Sequence, residues 1–513
     1  MTRSFFPRPH RRLWTVATAA IFVAALTRVM HVSAVTSCEA LATQHLDRAV
    51  VAGAATVAAG EPPFYVSRPF CRVQITMAPT ADSDIRAEVW LPIGHWNGKF
   101  EAVGNGDAAG VISYDDMASA IARGFATSST DTGHAGNSMA FALGHHEKYV
   151  DFGYRALHEM TLKAKAIIAT FYGRPPIEAY WNGCSQGGRQ GITEAARYPS
   201  DYDGVIAGAP AIEHMRLHAA RLALNLLVHR SDDSYIPSEK YALIHRAVLD
   251  ACDANDGVKD GLIADPTRCH FDPARLACTA GDAPTCLTPP QVETVRALYA
   301  PLKDASTGRI VSPALLEPGS ELGWGRLAGP EPLRNAVEPF KYIVFNDPSW
   351  DWHTFRLMPD LPRALQADAG VINFTDPDLH AFFARGGRLL MYHGWADPQI
   401  PPLDTIDYFN AVLKASGESA RGRSVQLYML PGVNHCEGGE GPDRFDAIAA
   451  LDEWFDTGHA PARIVATRKA NAAVARTRPL CPYPQRAIYV GSGSIDQAEN
   501  FRCQTDTPAR GNP

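Results

Sequence analysis

The chain has 513 residues, 46% of them hydrophobic and 20% charged, and its formal net charge is −7. This is the composition of an ordinary globular protein, and the length accommodates one large domain with a second unit. The negative charge argues against nucleic acid as a partner.

The first 34 residues have the features of an export signal. Four arginines within the first twelve positions precede an apolar run at 13–26, and the residues at 32–34 suit a cleavage site. A membrane anchor is the alternative, but the run has only 14 residues, whereas a bilayer span needs about 20. We predict export to the periplasm or the medium by the general secretory route, with no membrane span in the mature chain.

The chain contains ten cysteines. An even number in an exported protein predicts five disulfides rather than free thiols. Export also argues against a thiol enzyme that would use Cys184 as its nucleophile.

The first part of the chain is predicted to be rich in strands. Apolar residues, alternating or continuous, indicate strands at 71–77, 85–91, 100–103 and 124–128. A helix at 154–171 leads into a strand at 179–181, and another short strand follows at 204–207. This succession of strand, helix and strand predicts a parallel sheet, so the fold class is α/β.

The pattern changes after residue 210. Residues 211–374 read as helices between irregular loops, with four of the ten cysteines and a cluster of aromatic residues. The α/β alternation resumes at 387–392, 402–415, 425–430 and 444–455, and the tail at 463–503 suggests two more strands, held by Cys481 and Cys503. We predict one catalytic domain from 35–210 and 375–513, with 211–374 inserted as a lid beyond the carboxyl ends of the strands, where ligands bind.

The segment Gly183-Cys184-Ser185-Gln186-Gly187-Gly188 contains the pattern Gly-x-Ser-x-Gly between a predicted strand and a predicted helix. In α/β-hydrolases this pattern forms a nucleophile elbow, a tight turn that exposes the serine hydroxyl, and small flanking residues relieve the crowding. The pattern on its own is weak because it arises by chance in many chains of this length. The pattern therefore indicates a catalytic serine only if residues elsewhere in the chain can serve as its base and acid.

A serine nucleophile needs a base and an acid that orients the base. Asp397 follows the predicted strand at 387–392 and His435 follows the strand at 425–430, which is the chain order of an α/β-hydrolase triad. Asp397 could instead be a turn residue, and His435 is one of 18 histidines. His393 is a rival histidine, but it stands before the loop that should carry the acid.

Two cysteines favour the triad. Cys184 precedes Ser185, and Cys436 follows His435. A disulfide needs Cα atoms about 4.4–6.8 Å apart, which is the separation expected for the neighbours of a hydrogen-bonded serine and histidine. One disulfide could therefore hold nucleophile and base together.

Two loops carry further candidate sites. Gly104-Asn105-Gly106 follows a strand and could direct backbone N–H groups at a ligand, or it could be a plain turn. Residues 252–262 hold Asp253, Asp256 and Asp260 among glycines, a set of oxygen donors that suits calcium but lacks the spacing of an EF-hand. A solvated acidic turn is the alternative.

Residues 183–188, 393–397 and 434–436 together resemble the tannase and feruloyl esterase family, and the resemblance extends over about residues 38–503. It implies an α/β-hydrolase fold with a large lid domain, and cleavage of esters of aromatic carboxylic acids. It also implies Ser185 as the nucleophile, His435 as the base and Asp397 as the orienting acid, with Cys184 bonded to Cys436.

The resemblance further implies structural calcium in the lid, bound by the side chains of Asp253, Asp256 and Asp260 and by the carbonyls of Val258 and Leu262. It implies an oxyanion hole formed by the backbone N–H groups of Gln186 and Gly106. The remaining disulfides implied are Cys38–Cys71, Cys252–Cys269, Cys278–Cys286 and Cys481–Cys503.

We therefore predict an exported serine esterase of the feruloyl type, acting through an acyl-enzyme on a small aromatic ester and needing no organic cofactor. The alternatives are a tannase for gallate esters, a hydrolase of terephthalate monoesters, and a catalytically silent, calcium-dependent binding protein. Trp350, Trp352 and Phe355 could stack on an aromatic acyl group or belong to the core of the lid.

Overall fold

A computed structural model describes residues 36–374, 376–470 and 473–505. The predicted export signal lies outside these residues. The central feature is one sheet of nine strands, which in chain order are β1 Ala49–Val57, β2 Phe70–Met77, β3 Ile85–Pro92, β4 Phe100–Val103, β5 Ala126–Thr130, β6 Ala179–Cys184, β7 Gly204–Gly208, β8 Arg388–Gly394 and β9 Val425–Leu430.

The spatial order of the strands is β1-β2-β3-β5-β4-β6-β7-β8-β9. The first three strands and β5 pair antiparallel, and every pairing from β5 to β9 is parallel. The carboxyl ends of the parallel strands therefore meet at one edge, where the loops that follow them come together.

In the described part of the chain, twelve α-helices accompany the sheet: α1 Tyr114–Ala122, α2 His146–Val150, α3 Ala156–Tyr172, α4 Gln186–Arg197, α5 His214–Val228, α6 Tyr241–Cys252, α7 Pro289–Leu298, α8 Arg334–Pro339, α9 Leu357–Asp368, α10 His380–Ala384, α11 Pro402–Ser416 and α12 Ala447–Thr457. Helices α5 to α10 all lie in the chain between β7 and β8.

The parallel strands are buried on both faces because their side chains alternate between two cores. One core takes Trp181, Val205, Leu389 and Leu427. The other takes the neighbouring residues in the chain, namely Tyr180, Ile206, Leu390 and Tyr428. Helices α3, α4 and α11 contribute to the first core, and α12 contributes to the second.

The segment between β7 and β8 has one core of its own and shares a second core with residues 139–152. The shared core gathers Phe340 and Phe355, which are buried, and Trp350, whose ring stacks on Phe340 and Phe345. Of the two possibilities weighed for Phe355 and Trp350, these contacts support the core of the inserted segment.

The predicted sheet is confirmed, with shifts at several ends. Strands β4 and β9 have the predicted bounds, whereas α12 begins at Ala447, three residues later than expected, because Asp446 caps it by accepting the N–H of Ala449 at 2.9 Å. The edge strand β1 was not predicted, and the tail holds four strands instead of two: Ile464–Ala470 pairs with Ala473–Leu480, and Arg486–Tyr489 with Phe501–Gln504.

All five disulfides are present with the implied pairing: Cys38–Cys71, Cys184–Cys436, Cys252–Cys269, Cys278–Cys286 and Cys481–Cys503. Within the part of the chain that the structure describes, none of the helices combines the length and the apolar character needed to cross a membrane.

Candidate active site

Ser185 lies in the turn between β6 and α4 with φ 63° and ψ −123°. A residue with a side chain rarely adopts a positive φ, and here the surroundings hold the turn in place. A Cβ atom at Gly183 would lie 2.5 Å from the carbonyl carbon of Gly187, and one at Gly188 would lie 2.5 Å from the carbonyl oxygen of Gly208. Gly183 of the pattern and Gly188 directly after it are therefore required by close backbone contacts, as the tight turn of a nucleophile elbow demands.

The structure brings the three predicted triad residues together. The Ser185 hydroxyl donates to His435 Nε2 at 2.8 Å, and His435 Nδ1 donates to Asp397 Oδ2 at 2.6 Å. Asp397 follows β8 and His435 follows β9, at the carboxyl ends of the parallel strands. The arrangement can accept a proton from the serine and stabilise the imidazolium that results.

Asp397 is completely buried and accepts four hydrogen bonds. Besides His435, the donors are His393 Nε2 at 3.0 Å and the main-chain N–H groups of Gln399 at 2.7 Å and Ile400 at 3.0 Å. Burial on its own would raise the pKa of Asp397, but the charge of His435 and the hydrogen bonds from His393 and His435 outweigh burial and lower it. Asp397 is therefore held ionised.

The rival histidine, His393, bonds to the same carboxylate oxygen, Asp397 Oδ2, as His435 does. Its Nδ1 accepts the hydroxyl of Thr405 at 2.7 Å, which leaves Nε2 to donate to Asp397. His393 is completely buried, so it orients Asp397 and has no contact with Ser185.

The Cys184–Cys436 disulfide joins the residue before Ser185 to the residue after His435, with 6.0 Å between the Cα atoms. It links two segments that are 252 positions apart in the chain. The structure thus has the covalent link between the neighbours of serine and histidine that the sequence led us to expect.

The turn at 104–107 lies against the start of α4. A Cβ atom on Gly104 would be 2.6 Å from the Cα of Gly187. The turn is fixed by Asn105, whose N–H donates to Gln190 and whose amide donates to the carbonyls of Val111 and Thr130. A Cβ at Gly106 would meet nothing within 4 Å, so the chain is open to a ligand at this point.

The charge of Asp107, next in the chain, is engaged elsewhere. Its carboxylate accepts the side-chain amides of Asn137 at 3.0 Å and Asn335 at 2.6 Å. Asn335 belongs to α8, so Asp107 also links this turn to the inserted segment.

Helix α5 carries a polar stripe that was not predicted from the sequence, formed by His214, His218 and Arg221. Arg221 is buried and donates twice to the carbonyl of Gln399, two residues after Asp397. Burial lowers the pKa of His214 and His218 well below the usual value, and the cation of Arg221 acts in the same direction. Three polar residues at intervals of four and three on one helix face were a signal for a polar stripe, but this spacing does not identify the loop that the stripe contacts.

The acidic loop at 252–262 has the oxygen donors predicted for calcium. Asp253 accepts the N–H groups of Asp260 and Gly261, and Asp260 also pairs with Arg478. Burial raises the pKa of Asp256 to about 6, and the charges of Asp260 and Asp253 contribute. These partly desolvated carboxylates are oxygen donors of the kind that a hard cation stabilises. They do not bring three ligand atoms within 4.8 Å of one another, so an ion would have to draw them together.

Several comparisons with known proteins agree with this geometry. The family model for tannase and feruloyl esterase matches residues 71–504. The chain is 35% identical over 491 residues to an uncharacterized esterase of Xanthomonas campestris, with 86% of this chain and 85% of the relative covered. It is 35% identical over 420 residues to a probable feruloyl esterase B-2 of Aspergillus flavus, with 78% and 80% covered.

The solved structure of feruloyl esterase B from Aspergillus oryzae superposes with a TM-score of 0.86 at 30% identity, covering 91% of this chain and 99% of that one. A tannin acyl hydrolase from Aspergillus niger shares the fold, with a TM-score of 0.76 at 22% identity and coverage of 90% and 93%. The predicted α/β-hydrolase fold is thereby confirmed. The chain belongs to the tannase and feruloyl esterase family and is a carboxylic ester hydrolase.

Proposed function

We propose that Ser185 is the nucleophile, His435 the general base and Asp397 the residue that orients His435. The supporting observation is the continuous chain of hydrogen bonds from the serine hydroxyl through the imidazole to a buried carboxylate, with distances of 2.8 and 2.6 Å. Ser185 Oγ attacks the ester carbonyl carbon as its proton passes to His435 Nε2, and the alcohol leaves with that proton. Water, deprotonated by His435, then releases the acid and restores the serine.

The oxyanion of each tetrahedral intermediate would accept hydrogen bonds from the main-chain N–H groups of Gln186 and Gly106. Gln186 is the first residue of α4, and the N–H groups of a first helical turn have no acceptor within the helix. Gly106 lies in the turn that contacts the same end of α4. Two donors from separate segments, fixed before substrate arrives, stabilise the developing charge more than water would.

The substrate that we propose is an ester of a hydroxycinnamic acid such as ferulic acid. Two of the relatives described above carry feruloyl esterase in their names, and the chain covers 80% of one and 99% of the other. Gallate esters and terephthalate monoesters remain the alternatives; the family model that matches the chain covers tannases as well as feruloyl esterases.

Residues 211–374 would act as the lid of this site. Arg221 of α5 donates to the loop that carries Asp397, and Asn335 of α8 donates to the 104–107 turn. The inserted segment therefore contacts two loops of the proposed active site. Closing the site in this way excludes water and strengthens the electrostatic contacts within it.

Calcium would be structural and bound within this segment by Asp253, Asp256 and Asp260, with the carbonyls of Val258 and Leu262. The ion would offset the carboxylates' mutual repulsion and stabilise the loop that follows α6. The proposed export of the protein is supported by five disulfides, which form and persist in oxidising compartments.

The function is tested with the variant Ser185→Ala and three substrates: methyl ferulate, methyl gallate and mono(2-hydroxyethyl) terephthalate. The wild type should turn over methyl ferulate with the highest kcat/KM, and Ser185→Ala should lose this activity while it keeps its melting temperature. Ser419→Ala, a change at an exposed serine, is the matched control and should behave as wild type.

Different outcomes overturn different parts of the proposal. A Ser185→Ala variant that hydrolyses all three esters at the wild-type rate would refute the triad. A preference for the gallate or terephthalate ester, lost in the same variant, would refute only the substrate. A wild-type protein that a fluorophosphonate probe does not label at Ser185 would favour the binding protein.

A further inference from the structure

A second cluster of titratable side chains lies beneath the other end of the elbow helix. It consists of His158 on α3, Glu194 near the end of α4 and Asp201 in the turn that follows α4. Each residue offers one ligand atom, and these three atoms lie within 4.8 Å of one another. Across residues 36–374, 376–470 and 473–505, this is the single group of three or more such side chains that meets that distance.

Glu194 is the unusual member of this group of three side chains. Its side chain is 0% exposed, and no N–H or hydroxyl group donates to either of its carboxylate oxygens. Asp201, 2% exposed, faces it and accepts a hydrogen bond from His158 Nδ1 at 2.6 Å. A buried carboxylate without a donor costs several kcal/mol unless another charge compensates it.

The nearby basic side chains do not supply that compensation by direct contact. Lys165 donates to the main-chain carbonyls of Ser200 and Asp201. Arg189 donates to the side chains of Gln186 and Thr193 and to the carbonyl of Gly153. Both cations are close enough to weaken the repulsion within the pair, yet neither bonds to Glu194.

Two buried carboxyl groups that face each other cannot both stay ionised on their own. Either they share one proton, so that the pair carries a single negative charge, or a metal ion lies between them. A proton shared by the two carboxyl groups would not involve His158 directly, whereas a metal ion could bind all three side chains. One imidazole nitrogen with two carboxylate oxygens is the ligand set of first-row divalent metals such as Zn²⁺, Mn²⁺ and Fe²⁺.

We propose that His158, Glu194 and Asp201 bind a divalent transition-metal ion. The ring of His158 stacks on Tyr198 with 3.8 Å between centroids and 9° between planes, which fixes the direction of its nitrogens. The His158 side chain is a quarter exposed, so a metal ion and a water ligand can reach the site from solvent.

This ion has a structural role and takes no part in the ester chemistry. Glu194 is nine positions beyond Ser185 on α4, about 13 Å along a helix axis, too far to contact the substrate. The ion would clamp the end of α4 to α3. Because α4 begins immediately after the serine, the clamp would hold the elbow helix against the sheet.

The test uses the full-length protein, freed of metal with a chelator and then titrated with Co²⁺ and with Zn²⁺. Co²⁺ in such a site gives visible absorption bands that report its ligands, and Zn²⁺ at about 100 times its Kd should raise the Tm by about 3 °C. In Glu194→Gln, which keeps the shape and removes one charge, both signals should be lost.

Two control variants separate this site from others. His380→Gln removes the histidine of an exposed histidine–aspartate pair and should leave Co²⁺ binding unchanged. Asp256→Asn alters the loop proposed for calcium and should also keep the Zn²⁺-dependent rise in Tm. Without metal, Glu194→Gln should be at least as stable as the wild type, because the replacement removes the facing charge.

The proposal is overturned if Zn²⁺ raises the Tm of Glu194→Gln as much as that of the wild type, since the ion then binds elsewhere. It is also overturned if the metal-free wild type neither binds Co²⁺ nor gains stability from Zn²⁺. That second result would mean that Glu194 and Asp201 share a proton.

Discussion

Replacing both Cys184 and Cys436 with alanine should reduce ester hydrolysis more than the removal of any other disulfide. The bond is the covalent connection between the residue before Ser185 and the residue after His435. Without it, the loop that carries His435 is held to the elbow only by the hydrogen bond between the imidazole and the serine.

Two magnitudes follow from the structure. The disulfide joins positions 252 residues apart, and the chain-entropy model gives about 5 kcal/mol of stabilisation for a loop of that length, as an upper value. A displacement of His435 by about 1 Å would lower kcat by about 10²-fold, because proton transfer depends steeply on the geometry of base and nucleophile.

The matched control is the pair Cys278→Ala with Cys286→Ala, which opens a disulfide spanning 8 positions. The same model gives about 2 kcal/mol for this bond, so the control should lower the urea midpoint by a smaller amount and leave kcat/KM near the wild-type value. Activities on methyl ferulate are compared at a temperature where both variants keep their native circular dichroism. A folded Cys184→Ala, Cys436→Ala protein with wild-type kcat/KM would refute the reasoning.

Three further predictions concern residues around the site. Asp397→Asn should lower kcat by about 10⁴-fold without unfolding the protein, because the amide cannot hold His435 in the required tautomer; unchanged kcat would contradict the orienting role. Adding Ca²⁺ to the chelator-treated protein should raise the Tm of the wild type but not that of Asp256→Asn, as measured by calorimetry, and equal rises would count against the calcium loop. His245 bridges Glu321 and Glu440, and although burial alone would lower its pKa, these carboxylates raise it to about 9. Since the folded pKa exceeds the unfolded one, this stabilisation is complete below about pH 6.5 and is lost as the pH rises through 9, so the wild type should lose about 2 kcal/mol more than His245→Gln between pH 6.5 and 9.5, allowing for the half-exposed Glu440.

The sequence predicted the parallel part of the sheet well because its strands are continuous apolar runs. Glu101 interrupts the apolar run of β4, and Gln426 interrupts that of β9. Both side chains are buried, so these runs indicate strands that are covered on both faces. Asp397 and His435 were predicted from the strands that precede them. Cys184 and Cys436 then favoured His435 among the histidines as the partner of Ser185.

What the sequence did not reveal lacks such a pattern. β1 consists mainly of alanine, valine and glycine and is half exposed along its length, so neither periodicity nor β-propensity identifies it. Arg221 contacts Gln399, in the loop that carries Asp397, across 178 positions of the chain, and His158 contacts Asp201 across 43 positions. Such contacts depend on how helices dock, which local patterns do not encode.

The order of the strands explains why a covalent link at this site is useful. Ser185 follows β6 and His435 follows β9, and two strands lie between them, so the strand ends are about 14 Å apart at a spacing of about 4.8 Å. The loop after β9 must therefore fold back across β8. It does so over Gly394, where a Cβ atom would lie 2.2 Å from the carbonyl oxygen of Val433.

Only glycine allows this crossing, and Ala396 then holds the loop in place by donating its N–H to Val433 at 3.0 Å. The far end of the loop has reached β6 when Cys436 meets Cys184 with 6.0 Å between the Cα atoms. A crossing of two strands by an irregular loop would otherwise leave the base free to move on the scale that matters for proton transfer. Gly394 and the disulfide thus restrict the movement of the same loop at its two ends. Replacing Gly394 with alanine should therefore displace His435 even with the disulfide intact.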